Sequence, residues 1–205
     1  MNQDYQISYK QEWLRKLIHL SSLWMPILYY FQDKQSTLIL VGVVMCIVLL
    51  ADIGRHYLPI TGRLFNALFG NMLRGHEKHQ KKLSGASYTL IAGFITILLF
   101  SKPVAIAAIS ILVISDAFAA LVGRKYGSIP LAGKSLQGTA TFYVFAVAIT
   151  LGVATLFEES GWFMGAGIVA SFIATLAELF SKRIGIDDNI TIPFSYGIVM
   201  FLLAV

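Results

Sequence analysis

Apolar stretches too long and too continuous for a soluble fold dominate this chain. Val104–Val122 carries one charged residue, Asp116, in an otherwise apolar and small-residue run. Six further runs follow the same habit, at Leu14–Phe31, Thr37–Ala51, Gly85–Phe100, Gly138–Phe157, Trp162–Phe180 and Ile190–Val205. They are continuous, not alternating, so a closed barrel is excluded and only helices satisfy their backbone in lipid. The fold class expected is all-α: a polytopic integral membrane bundle of about seven transmembrane helices, forming one domain over residues 1–205. A span needs about 20 residues, so the second, third and seventh runs are short unless their flanks extend them. Composition agrees. The chain is 57% hydrophobic and 13% charged, against about 25% charged in soluble domains, which excludes a cytosolic globule and a disordered segment alike. Cys46 is the one cysteine, so there is no disulfide framework or cysteine zinc site. Met1–Gln11 is polar and no small-residue cleavage pattern follows the first run, so no cleaved signal peptide is expected.

The net charge of +5 would suit nucleic acid, but its distribution suits a membrane better. With the N-terminus in the cytosol, 14 of the 16 Lys and Arg residues fall on the cytosolic side, leaving Lys34 and Lys102 outside. Such a bias sets orientation, and no nucleic-acid partner is needed to explain it. The outer connections Gln32–Ser36, Ser101–Pro103 and Glu158–Gly161 are short. The polar chemistry, and with it the expected active site, faces the cytosol.

Three ionisable groups lie inside or at the edge of spans: His19, Asp116 and Glu178. Such groups are expensive in lipid and mark functional positions, or else pair with a neighbouring base. Downstream of Asp116 run Gly123-Arg124-Lys125-Tyr126-Gly127 and then Gly133-Lys134-Ser135-Leu136-Gln137-Gly138-Thr139. A glycine-rich turn with a lysine and two hydroxyls can aim N–H groups and an ammonium at phosphate oxygens. It is not a Walker P-loop, because five residues separate Gly127 from Gly133 where that motif has four, and an apolar helix precedes it instead of a strand. The bland alternative is a basic turn between two helices. A carboxylate upstream, Asp116, is the usual way to hold Mg²⁺ against a nucleotide.

The sixth run ends at Glu178, Lys182 and Arg183, followed by Asp187-Asp188-Asn189. These offer hard oxygen ligands beside two phosphate partners, although Asp-Asp-Asn is also ordinary turn chemistry. Near the N-terminus, Glu12, Lys16 and His19 share one helical face with Arg15 beside them. Interfacial anchoring explains Trp13, Arg15 and Lys16 but not His19. The loop Asp52–Ser84 is basic, and its His76-Glu77-Lys78-His79 lacks the spacing of a zinc helix, so contact with anionic headgroups is the better account.

In these residues the chain resembles the CTP-dependent lipid kinases, the family of dolichol kinase, phytol kinase and the CTP-dependent diacylglycerol kinase of fungi. The matching pieces are Arg15-Lys16-x-x-His19; Glu77 with Ser84-Gly85-Ala86; Asp116-x-x-Ala119 with Gly123-Arg124-x-x-Gly127; Gly133-Lys134-Ser135-x-x-Gly138-Thr139; and Glu178 with Asp187-Asp188-Asn189-x-x-x-Pro193. They come in the family's order and cover most of the chain. The last two clusters are also similar to phosphatidate cytidylyltransferase, but Phe194-Ser195-Tyr196-Gly197 stands where that enzyme's His-Gly-Gly is expected. The chain is shorter than eukaryotic dolichol kinases, which counts against dolichol itself.

The resemblance implies transfer of the γ-phosphate of CTP to the hydroxyl of a membrane lipid, an isoprenoid alcohol or diacylglycerol. Asp116, Asp187, Asp188, Asn189 and Glu178 become the candidate ligands for Mg²⁺ or another divalent cation. Arg124, Gly133, Lys134, Ser135, Gly138, Thr139, Lys182 and Arg183 become the nucleotide contacts. His19, with Lys16 and Arg15, is expected to orient or deprotonate the alcohol, and Asp116 and Lys134 join them as catalytic candidates. Two other functions fit the residues less fully. One is CDP-lipid synthesis from the same groups. The other is a transporter using Asp116 and Glu178 as ion sites, for which internal repeats and midplane charges would be expected.

Overall fold

The computed structural model describes residues 9–57, 62 and 83–204, with side chains from Glu12 onward. Helices α1 (Tyr9–Ser21), α2 (Trp24–Phe31), α3 (Lys34–Tyr57), α4 (Gly85–Leu99), α5 (Lys102–Tyr126), α6 (Leu136–Leu156), α7 (Gly161–Ile184) and α8 (Asp188–Leu203) account for nearly all of it. The fold is all-α, with one two-rung hairpin, β1 (Pro130–Leu131) and β2 (Lys134–Ser135), between α5 and α6.

Every apolar run is mainly helical over its described residues, but the runs do not all make spans. Among the described residues, four helices are long and apolar enough to cross a membrane: α3, α5, α6 and α7. Helices α4 and α8 are shorter, at 15 and 16 residues. The first run is two helices, because Pro26 has no N–H and its ring crowds the carbonyl four residues earlier, at Ser22. The chain there tightens, with Ser22, Leu23 and Met25 donating to His19, Leu20 and Ser22 carbonyls at 3.0–3.1 Å. Conversely, α3 overruns its apolar stretch at both ends, which supplies the length that the run lacked.

The polar punctuation between runs acts as helix caps. Ser84, Ser135, Ser160 and Asp187 accept from the backbone N–H of Ser87, Gly138, Phe163 and Asn189, satisfying donors a helix start leaves open. Gly185, at φ +75, ends α7 in the left-handed conformation that a glycine adopts freely.

From α3 onward the helices alternate in direction, which places the two ends of the bundle by contact. At one end Lys34 donates to Phe100 O (3.4 Å), Lys102 to Gln32 O (3.0 Å) and Trp162 to Leu203 O (2.5 Å). At the other, carboxylates and cations converge. Between them the core is apolar, with one buried hydroxyl network: Thr150 Oγ1 lies 3.1 Å from Ser171 Oγ and 3.0 Å from Tyr196 Oη. Helix α7 packs most extensively on α8, and its buried Gly167 gives room to α6, where a Cβ would meet the Thr150 methyl at 2.3 Å.

Candidate functional site

The polar end is built first on α1 against α5. Lys16, only 3% exposed, forms an ion pair with Asp116, itself 8% exposed. His19 Nε2 sits 3.7 Å from the same Asp116 oxygen and 3.3 Å from the Leu112 carbonyl. Leu112 belongs to Ile111–Ser115, where α5 widens into a π-segment immediately before Asp116. Such segments displace helical hydrogen bonds and recur at functional sites. One turn earlier on α1, Glu12 takes both guanidinium arms of Arg15 (2.5 and 3.3 Å) and lies 3.6 Å from Arg124 on α5. Four of the residues singled out in the sequence (Arg15, Lys16, His19 and Asp116) therefore meet across one helix pair, with Arg124 at its rim.

The hairpin supplies the second part. Ala132 (φ 49) and Gly133 (φ 89) form its two-residue tip, the left-handed pair that suits the twist of a tight hairpin. The tip delivers Lys134 to α7, where its ammonium pairs with the Glu178 carboxylate and donates to the Glu178 carbonyl at 2.6 Å. The sequence expects Lys134 on phosphate; here it holds Glu178. Glu178 Oε2 is buried and makes no hydrogen bond, as does Thr139 Oγ1 on α6. Ser135 caps α6. Gly138 and Gly123 mark a close crossing of α6 and α5: a Cβ on Gly138 would meet Ala119 O at 2.9 Å and Gly123 Cα at 3.1 Å. Gly138 is thus required for packing.

The third part is the start of α8. Asp187 Oδ1 accepts from both the backbone N–H (3.0 Å) and the side-chain amide (2.6 Å) of Asn189. Asn189 Oδ1 lies 2.9 Å from Thr89 Oγ1 on α4. Asp187 and Asn189 are therefore engaged in the capping of α8 and its bridge to α4. Asp188, the first residue of α8, acts electrostatically on Arg15 and Glu178, and Asp116 acts on Glu178 as well. These interactions put the three parts in one field. Lys182 and Arg183 are exposed at the end of α7, with the Arg183 guanidinium over the Phe180 ring at 5.6 Å.

Sequence reasoning missed Asp52. It is 0% exposed and accepts from Ser84 N–H and Ser87 Oγ, both at 2.6 Å, while Arg55 Nε lies 2.8 Å from its other oxygen. Asp52 ends the second apolar run, so the test that flagged His19, Asp116 and Glu178 applies to it too; reading it as the first loop residue hid it. His76, Glu77 and His79, with the basic residues Arg63, Arg74, Lys78, Lys81 and Lys82, lie outside the described residues. Among the described residues, no three His, Cys, Asp or Glu side chains gather as a metal-binding group.

Known proteins share this chain's pattern over most of its length. An uncharacterised protein of Rickettsia prowazekii is 34% identical over 183 residues, 89% of each chain. A protein of Triticum aestivum named "Probable phytol kinase, chloroplastic" is 28% identical over 138 residues, 62% of this chain and 46% of its own. A Schizosaccharomyces pombe protein named "CTP-dependent diacylglycerol kinase 1" is 26% identical over 164 residues, 74% of each. The chain spans about half the length of the phytol kinase relative. No family model and no solved structure matches it. The relatives named phytol kinase and CTP-dependent diacylglycerol kinase support a place for this chain among the CTP-dependent lipid kinases, at 26–28% identity.

Proposed function

We propose that this protein is a multi-pass membrane kinase that moves the γ-phosphate of CTP to the hydroxyl of a lipid alcohol, at the polar end of a single transmembrane domain facing the cytosol. The observation that carries the reading is the buried Lys16–Asp116–His19 cluster joining α1 to α5. A buried ionic cluster costs several kcal/mol to desolvate, and a helix pair in lipid has cheaper ways to associate. The positive bias of this end supports its cytosolic placement. Helices α4 and α8, and the broken pair α1–α2, then complete the bundle as short or interrupted crossings.

The reaction forms a bond between the lipid oxygen and the γ-phosphorus and breaks the bridge to the β-phosphate; CDP leaves. The hydroxyl proton goes to His19. A carbonyl only accepts, so the bond to Leu112 O puts the imidazole proton on Nε2 and leaves Nδ1 as the base. The imidazolium that results is stabilised by Asp116, which Lys16 holds in place. Arg124, Lys182 and Arg183, at or near the surface of the same end, bind phosphate oxygens, and Lys134 joins them from its seat on Glu178.

Two carboxylates, Glu178 and Asp188, support a divalent cation here, while among the described residues no three such side chains gather as a metal-binding group. Glu178 Oε2 is a buried acceptor with no protein donor, and Asp116 and Asp188 share its field. Mg²⁺ in such sites takes one or two carboxylates plus phosphate oxygens and needs no cage of protein ligands. Asp188 is the better ligand of the α8 pair, because Asp187 is committed to the cap. When bound, the ion would neutralise charge on the triphosphate.

The acceptor is an isoprenoid alcohol ahead of diacylglycerol, since one chain passes between helices more easily than two; the likeness to a protein named phytol kinase supports it. The test is product analysis with purified protein, γ-labelled CTP or ATP, and geranylgeraniol or diacylglycerol, with phosphatidate offered in parallel as a lipid phosphate. A labelled phosphorylated alcohol and CDP are expected. Pyrophosphate with a liponucleotide would replace this reading with CDP-lipid synthesis, and faster turnover with ATP or diacylglycerol would overturn the corresponding choice.

A further inference from the structure

The motif Ser84-Gly85-Ala86 and the buried Asp52 have no part in the chemistry above, yet they are tied to it by an unbroken chain of contacts. Asp52, near the end of α3, accepts from Ser84 N–H and Ser87 Oγ at 2.6 Å and is flanked by Arg55 at 2.8 Å. Ser84 caps α4, its Oγ accepting from Ser87 N–H at 3.4 Å. One turn on, the Thr89 hydroxyl lies 2.8 Å from Gly85 O and 2.9 Å from Asn189 Oδ1. The amide of Asn189 donates to Asp187 at 2.6 Å, and Asp188 is the residue between them.

A fully buried carboxylate is a poor way merely to join two helices. Its desolvation roughly cancels what its partners return, and an apolar contact of the same volume does as well or better. What it adds is direction. A carboxylate oxygen that accepts from both a backbone N–H and a hydroxyl of the first turn of α4, with Arg55 paired to its other oxygen, fixes that turn in rotation and in height. Thr89 then stands at one azimuth, and Asn189 can complete its hydrogen bonds only with α8 beginning at one height.

We infer that Asp52, acting through Ser84, Ser87, Thr89 and Asn189, is a positioning residue that sets where α8 begins and so where Asp188 stands relative to Glu178 and Arg15. This rests on the kinase reading for its catalytic meaning.

Thr89→Val and Thr89→Ser separate positioning from packing, since valine keeps the volume and loses the hydroxyl while serine keeps the hydroxyl. Two readouts are taken on the full chain in detergent: backbone hydrogen exchange, and the CTP dependence of lipid phosphorylation at limiting Mg²⁺. For Thr89→Val, exchange at residues 188–191 rises while the middle of α7 stays as in wild type. The apparent KM for CTP rises about three- to tenfold, the worth of one buried hydrogen bond, with kcat falling less. Thr89→Ser restores both. Asp52→Asn, which keeps the shape and removes the charge, moves both readouts in the same direction. Unchanged exchange at 188–191 in Thr89→Val overturns the brace. Raised exchange with an unchanged KM overturns its role in positioning the site. Absence of turnover in the wild type instead sinks the kinase reading, and the exchange result then decides the brace by itself.

Discussion

Both ends of the bundle use lysine to join helices, and they use it in opposite ways. At one end Lys34 and Lys102 donate to main-chain carbonyls, and each bridges a different inter-helix turn to the other. Aromatic rings fill the space beside them: Tyr30 packs edge-on to Phe31 and Phe157, and Lys102 sits 5.5 Å from the Tyr29 ring centre. At the other end Lys16 and Lys134 are withdrawn among helices onto Asp116 and Glu178. The first arrangement is inexpensive, since it closes helix termini with partially solvated donors and neutral partners. The second spends several kcal/mol on dehydrating ions. A chain needing only to cross the membrane could have used the first device at both ends. The contrast supports the proposed placement of the chemistry at the second end.

The largest effect expected is on Asp116→Asn, which keeps the shape beside Lys16 and His19 but removes the charge. Lipid phosphorylation falls at least about a hundredfold while the protein still elutes as a single folded species in detergent. Retained turnover would break the claim that the costly end is the catalytic one. Next, Lys134→Met strands the buried Glu178 charge and destabilises the fold by about 3–5 kcal/mol, with turnover lost. Lys102→Met, its counterpart, costs less than about 1 kcal/mol and leaves turnover as it was. Thermal unfolding and turnover measured on both variants sharpen or erase the asymmetry.

A smaller effect concerns packing. Gly138→Ala drives a methyl into the backbone of α5 and destabilises by about 1–3 kcal/mol. Gly165→Ala, with nothing within 4 Å of the added carbon, leaves stability equal or better. The smallest effect belongs to the inexpensive end. Asp33, between α2 and α3, accepts from Ser36 N–H at 3.0 Å, which holds its carboxyl below the usual aspartate value. A depressed value means its contribution is complete above the ordinary carboxylate range and is lost as pH falls through the lowered one. The difference in Tm between wild type and Asp33→Ala therefore narrows on acidification, and a constant difference would show the side chain acts otherwise.

Much of the architecture was legible because lipid permits few solutions. The apolar runs became helix, the first of them in two pieces, and Ser84, Ser135, Ser160 and Asp187 between runs became caps. The number of full spans was less legible, since it depends on where polar flanks continue the helix. Lys34–Ser36 and Asp52–Tyr57 do so for α3, whereas Pro26 divides the first run. In the site, the rule that an ionisable residue within a span is significant picked out His19, Asp116 and Glu178. The same rule passed over Asp52 because helix and apolar run end at different residues. Partner choice was not legible at all. That Lys134 rests on Glu178 follows from the fold of a hairpin whose left-handed tip includes Ala132, a residue with no propensity to announce it. Likewise Asp187 and Asn189 read as metal ligands or as turn residues until Thr89, a hundred positions away, brought Asn189 into a bridge.

The widened stretch Ile111–Ser115 carries an implication for how this chain tolerates length changes. A π-segment behaves as one residue inserted into a helix whose two halves keep their own neighbours. Deleting a single residue there would relax the stretch to ordinary helix and leave both halves facing their own neighbours, Asp116 toward Lys16 and Gly123 toward Gly138. A deletion in the regular helix that follows, within Ala117–Val122, has no such slack and would turn everything beyond it by about 100°. Gly123 would then leave its seat against Gly138, although no side chain in the contact had changed. The same one-residue deletion is therefore expected to be tolerated in the widened stretch and damaging just after it.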